Sequence, residues 1–209
     1  MKVLAINGSP RKDSNTAKAL GLMAEELAKD GVETEIINVG SQTVYGCRGC
    51  GHCAKSPGNH CAITQDCLNE AADKARAAGG LILGCPTYFA GMAGTMKCFC
   101  DRLFYTSRTL FKGKVGASVS IARRAGAVDT IHQLNNYLNL AEMVITPSQY
   151  WVIAFGMQQG EISQDAEGLQ TIRKNARAMA WLLKMIDACK DSNPYPADTQ
   201  ARARTNFIR

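Results

Sequence analysis

The sequence predicts an α/β domain: a doubly wound, five-stranded parallel sheet with helices on both faces. Three observations carry this. Short β-branched apolar runs alternate with stretches of helical periodicity, Gly or Pro punctuates most junctions, and no internal repeat breaks the alternation. Residues 2–7 (KVLAIN) form the first strand, stopped by Gly8. A helix follows over 16–29, with Ala17, Leu20, Met23, Ala24 and Leu27 on one stripe and Gly31 closing it. Residues 33–39 make the second strand, and 67–78 the next helix. The run GLILG at 80–84 is a third strand, 94–108 a helix, 115–122 a fourth strand and 128–140 a helix. A fifth strand begins at 143–146 ahead of Pro147, and the last helix spans 168–189. Right-handed crossovers cover both faces, and a 2-1-3-4-5 strand order opens a ligand crevice between the first and third strands.

Composition narrows the function classes. A chain of 209 residues with 46% hydrophobic and 20% charged residues is ordinary globular usage, which excludes disordered, fibrous and collagen-like classes. The longest uncharged stretch, 77–96, is interrupted by five Gly and by Pro86, so no membrane span is expected. The apolar run at 3–6 is too brief for a signal peptide, which places the protein in the cytoplasm as an expectation. Nine Cys without an export signal point to reduced thiols or metal ligands rather than a disulfide scaffold. The net charge of +6 concentrates in 102–128, which holds Arg102, Arg108, Lys112, Lys114, Arg123 and Arg124 and no acid. A solvated face or an anion-attracting rim explains it; no nucleic-acid module does.

Two loops lie where a ligand of such a sheet would sit. Residues 8–16 (GSPRKDSNT) offer the hydroxyls of Ser9, Ser14 and Thr16, the Asn15 amide, the Arg11 guanidinium and the free N–H groups of the following helix. The loop lacks both GxxxxGK[ST] and GxGxxG, so a monophosphate such as that of FMN suits it better than ATP or NAD; a plain helix cap in a polar turn is the simpler alternative. Residues 85–91 (CPTYFAG) follow the third strand. There Pro86 stiffens the turn, Thr87 can reach a ring heteroatom, and Tyr88 and Phe89 can lie on a flat ring or else face the core. A third loop, 122–127, brings Arg123 or Arg124 toward the pyrimidine edge of such a ring.

These loops, with Lys97, Asp101 and Arg102 spaced as KxxxDR, make residues 1–190 resemble the flavodoxin-like NAD(P)H-dependent FMN reductases. Within them the chain resembles the iron-sulfur flavoproteins. The resemblance implies bound FMN, NAD(P)H as co-substrate, and a flavin that does the redox chemistry without an assigned acid or base.

Cys47, Cys50, Cys53 and Cys61 form CxxCxxCx7C, with Cys67 close behind. Two successive two-residue gaps let thiolates converge on a [4Fe-4S] cluster; structural zinc, or redox-active thiols in a degenerate site, also fit the spacing. The resemblance to iron-sulfur flavoproteins favours the cluster, with Cys61 ahead of Cys67 as fourth ligand. Cys85, Cys98, Cys100 and Cys189 read as small buried thiols, His52 and His60 as surface residues, and His132 and Trp151 as packing residues.

The domain plan is a flavin-binding unit over 1–190 carrying the Cys-rich loop 46–67, and a tail over 191–209 that is extended or wraps a partner. The expected protein is an FMN-dependent NAD(P)H oxidoreductase, reducing a quinone, flavin, nitro compound or oxygen. The competing expectations are a one-electron carrier partnered by ferredoxin and a zinc-stabilised flavin-binding module. Because surface loops leave a flavin ring partly open, a homodimer or homotetramer is expected, with one subunit's Cys loop near the other's flavin.

Overall fold

The computed structural model describes residues 1–201, 203 and 205. Its sheet runs in the order β2 (Glu33–Asn38), β1 (Lys2–Asn7), β3 (Gly80–Tyr88), β5 (Val115–Ala122), all parallel, with the fifth position filled by β6 (Val144–Ile145) and β7 (Ile153–Phe155). This is the doubly wound 2-1-3-4-5 order. β5 is buried along its whole length and β1 beyond Lys2, as central strands covered on both faces must be.

One face is covered by α1 (Asn15–Ala28) and α5 (Ala166–Cys189), which contribute Leu20, Met23, Ile172 and Met179 to a core around Val3, Ala5, Ile82 and Val119. The other is covered by α2 (Leu68–Ala77), α3 (Gly94–Ser107) and α4 (Ala127–Leu140), with Phe99, Leu103, Phe111 and Leu134 packed on Leu4, Ile6 and Leu81. Phe104 meets Phe111 edge-on at 5.4 Å between ring centres.

Three departures from the sequence reading matter for the site. β3 does not stop at Gly84 but continues to Tyr88 and turns back antiparallel into β4 (Gly91–Met92), pairing Thr87 with Met92 and Tyr88 with Gly91. Pro86 is tolerated there because β1 ends opposite Gly84, so the missing N–H of Pro86 faces no ladder on that side. The fifth strand is broken: β6 pairs with Val115 and Gly116 at the start of β5, and β7 with Ser120 to Ala122 at its end, with residues 146–152 looping out between them. Third, His132 and Trp151, expected in the packing, are exposed. In the tail, Asp198 pairs with Lys112 at 2.6 Å and the Tyr195 ring lies against Gly113.

Candidate functional site

The carboxyl ends of β1, β3, β5 and β7 open onto a cavity of about 430 Å³. Loop 9–16 forms one wall, Pro86 to Tyr88 and Ile121 to Arg123 two more, and Gly156, Met157 and Gln159 the last. The first loop is set by its own polar atoms. The Ser9 amide donates to Asn7 Oδ1 at 3.0 Å, and Asn7 Nδ2 donates to Asn38 Oδ1 at 2.7 Å, tying the loop base to β2. Gly40 packs so closely on Gly8 that a Cβ there would lie 2.3 Å from the Gly8 carbonyl oxygen. Ser14 caps α1, its Oγ accepting from the Ala17 amide at 3.1 Å.

The amides of residues 12–16 have no acceptor among the described residues. A row of unpaired N–H groups at the positive end of a 14-residue helix is an anion cradle, and a phosphate monoester is the matching group. Arg11, Lys12 and Arg123 bring positive charge to the same walls against the single acid Asp13.

Asn15 serves differently from the phosphate contact expected of it. Its Nδ2 donates to the Gln158 carbonyl at 2.9 Å and its Oδ1 accepts from the Gly160 amide at 2.9 Å, so the side chain is engaged in binding loop 156–160 to the start of α1. That loop was not foreseen as a wall. Glu161 organises it further, accepting from the Met157 and Gln158 amides at 2.7 and 2.8 Å, and those bonds hold its carboxyl below the ordinary range. Asp165 joins it to α5, accepting from Phe155 N at 2.7 Å and capping Gly168 N at 2.9 Å. The one sequence signal was the pair Gly156 and Gly160: a Cβ at Gly156 would stand 2.7 Å from Asn15 Nδ2, and Gly160 has φ +89°.

Of the residues expected here, Ser9, Arg11, Ser14, Asn15, Thr16, Pro86, Thr87, Tyr88 and Arg123 line the cavity; Phe89 and Arg124 do not. Phe89 and Ala90 form the two-residue turn between β3 and β4, both at positive φ (50° and 56°). The turn swings Phe89 fully into solvent and seats Ala90 on Gly126, where a Cβ would be 2.8 Å from Ala90 Cα. Thr87 Oγ1 lies 3.0 Å from the buried Ser120 hydroxyl, leaving Tyr88 half exposed at the mouth.

A second cavity, of about 200 Å³, lies between the Cys loop and α3. Cys47, Cys50, Cys53 and Cys61 all line it, together with Arg48, Arg102, Tyr105 and Thr106. Cys67 does not; it caps α2, where burial pushes its thiol up. Burial also pushes up the Cys53 thiol, whose Sγ is 3.8 Å from the Tyr105 carbonyl. Among the described residues no three His, Cys, Asp or Glu stand close enough to hold one metal ion. A single tetrahedral ion needs its ligands drawn together on one centre, whereas the four thiolates of a cubane would each bind a different iron and stand farther apart. Of the remaining thiols, Cys85 and Cys100 are buried as expected, with burial pushing Cys85 up to about 12, whereas Cys98 and Cys189 are only half-buried.

Residues 1–158 match the family described as NADPH-dependent FMN reductase. An iron-sulfur flavoprotein of Methanocaldococcus jannaschii is 32% identical over 198 residues, spanning 89% of this chain and 99% of its own. The chain belongs to this reductase family, in its iron-sulfur flavoprotein branch. As a member it is an FMN-dependent oxidoreductase. A second iron-sulfur flavoprotein, from Methanosarcina thermophila, is 29% identical over 195 residues and is covered over its full length. Among solved structures, RosB with a bound formylated riboflavin phosphate superposes with TM-score 0.66 at 18% identity, over 100% of this chain and 92% of the other. A flavodoxin from the domain Archaea superposes at 0.59 and 14% identity, over 88% and 99%, which shows the flavodoxin-like fold of this chain. No helix among the described residues is long and apolar enough to cross a membrane.

Proposed function

We propose that this flavoprotein holds FMN in the 430 Å³ cavity and exchanges its electrons with NAD(P)H, an acceptor and a [4Fe-4S] cluster carried on Cys47, Cys50, Cys53 and Cys61. The observation that carries the reading is the row of unpaired amides at residues 12–16, facing a cavity at the carboxyl edge of the sheet. In this reading Ser9, Ser14, Thr16 and Arg11 receive the phosphate, while Asn15 holds the 156–160 wall in place. Thr87 and Tyr88 border the ring, and Arg123 faces its pyrimidine edge. The flavin supplies hydride acceptance and one-electron transfer; the chain's residues orient it, balance its charge and limit water at the ring.

The four-thiol cavity favours a second reading beside the reductase, a one-electron carrier served by a ferredoxin-like partner, because a cluster adds nothing to hydride transfer alone. The chain acts in the cytoplasm as a homodimer or homotetramer, since the cavity mouth at Tyr88 is open and a second subunit would cover it. Residues 1–190 are the functional unit; the tail expected over 191–209 lies partly outside the described residues. Purification without oxygen, an absorbance spectrum and identification of the acid-released flavin test the proposal. FMN at one per chain with added cluster absorbance is expected; FAD, or an apoprotein that takes up no flavin, refutes it. Reduction by NAD(P)H faster than by reduced ferredoxin selects the reductase, and the reverse selects the carrier.

A further inference from the structure

Arg102 stands on α3, outside the Cys loop, yet its four hydrogen bonds all land on the segment that carries the thiols. Nε donates to Cys61 Sγ at 3.3 Å, Nη1 to the Tyr45 carbonyl at 3.2 Å and to the Asp66 carboxylate, and Nη2 to the Ile63 carbonyl at 3.0 Å. Both charged side chains of the Arg102–Asp66 pair are 1% exposed. Elsewhere the loop is held by its backbone and by α2: Asn69 pairs with the Cys61 amide and carbonyl at 2.8 and 3.0 Å, and His60 meets Asp73 at 2.9 Å, but among the hydrogen bonds of the described residues only the Arg102 Nε–H reaches the Cys61 sulfur.

A guanidinium has five N–H donors in one plane, and burying it requires that they be met. Asp66 and the two carbonyls would serve a purely structural arginine. Of the two donors left, Nε–H is directed at sulfur, a weak acceptor as a thiol and a much stronger one as a thiolate, so the contact gains most when Cys61 carries negative charge. Because Asp66 neutralises the guanidinium, what reaches Cys61 is a directed N–H rather than a net charge. The same residue separates the two contenders for fourth ligand, since Cys67 lies outside this cavity.

We propose that Arg102 is a positioning residue for the iron-sulfur centre: its Nε–H fixes the Cys61 thiolate as fourth ligand and, by drawing electron density from that sulfur, raises the centre's reduction potential. The inference rests on the cluster reading given above. Arg102→Lys keeps a positive charge facing Asp66, but an ammonium on a flexible stem cannot reproduce the planar fork. The double variant Arg102→Gln/Asp66→Asn removes both charges together, so no buried carboxylate is left unpaired.

Full-length, FMN-loaded wild type and both variants are reconstituted anaerobically with iron and sulfide. Iron, sulfide and FMN are then counted, and the midpoints of cluster and flavin are measured in one mediated redox titration. The expected result is an unchanged FMN content and flavin midpoint, with the cluster midpoint of both variants lowered. At the wild-type midpoint their reduced-to-oxidised ratio should fall about tenfold, equivalent to about 59 mV for a one-electron couple. Loss of iron from both variants with FMN retained also supports the proposal, because the fold is then intact and only the ligand is loosened. A loaded wild type whose variants keep its cluster midpoint overturns this inference alone. A wild type that takes up no cluster overturns the cluster reading, and this inference with it.

Discussion

Asn15→Ala tests how the flavin cavity is built. The substitution deletes two hydrogen bonds of 2.9 Å, one to the Gln158 carbonyl and one from the Gly160 amide, and a longer one of 3.5 Å from the Ile162 amide. Each contributes about 0.5–1.5 kcal/mol net, and because Gln158 is exposed and Gly160 half-buried, water replaces part of the loss. A destabilisation of about 1–2 kcal/mol follows, which for a chain of this size lowers Tm by roughly 2–8 °C. The larger consequence is for the ligand. With its tie gone, loop 156–160 must be ordered by the flavin, and the same 1–2 kcal/mol drawn from binding weakens FMN affinity about 5- to 30-fold at 1.4 kcal/mol per decade. Titrating FMN with apoprotein and following flavin fluorescence measures this directly, beside a thermal melt of the apoprotein. Wild-type FMN affinity in Asn15→Ala, even with a lowered Tm, would refute the claim that this loop is a wall of the flavin site.

Other perturbations separate the remaining parts. Ser14→Ala with Thr16→Ala should weaken FMN by about 1–3 kcal/mol through lost charge-assisted bonds, read by the same titration; unchanged affinity would place the phosphate elsewhere. Gly40→Ala drives a Cβ into backbone at the base of loop 8–16, so both the melting temperature and flavin uptake should drop, whereas a neutral result would contradict the packing seen there. In anaerobic reconstitution, Cys67→Ser should keep about four irons per chain and Cys61→Ser should lose most of them; the opposite pattern would exchange their roles. Glu26, whose side chain is buried, is held below the usual carboxylate range by its Lys29 hydrogen bond and by Arg177, against the opposing effect of burial. Its stabilisation is therefore present above the unfolded value of about 4.3 and lost as pH falls through the lower folded value. Urea midpoints measured from pH 7 down to pH 3 should show a shallower acid loss in Glu26→Gln, and identical profiles would exclude this contribution.

The fold was legible because its signals are local and repeated. Apolar runs and helical stripes place β1, β2, β5 and every long helix within a few residues of where they lie, while the alternation alone leaves more than one doubly wound strand order open and the observed one is 2-1-3-4-5. What escaped depended on neighbours. Gly84, Cys85 and Pro86 read as a stop, yet Pro86 extends β3 because β1 has already ended beside it. β7 is only three residues long and is held by pairing with β5, a long-range contact with no periodicity of its own. The same holds in the site. The phosphate loop declares itself through hydroxyls and helix-start chemistry, whereas the 156–160 wall depends on a bond spanning 143 residues from Asn15 to Gln158. Phe89 and Tyr88 are adjacent and both aromatic; only the left-handed turn at Phe89 and Ala90 turns one away from the cavity and leaves the other at its mouth.

The broken fifth strand also governs how copies of this chain can meet. One border of the sheet consists of two pairing segments of two and three residues with a seven-residue excursion between them, so it offers an incoming chain no continuous row of free amides and carbonyls. The opposite border, β2, presents Glu33 and Glu35, whose charges are engaged by Lys2 and Lys74 of the same chain. A second β2 laid alongside would bring like carboxylates together and compete for those lysines. Neither border is a template for sheet extension. Any contact between copies is thereby directed to helix faces and loops, and growth into strand-paired aggregates is opposed by the charges and breaks at these margins, independently of how stable the core is.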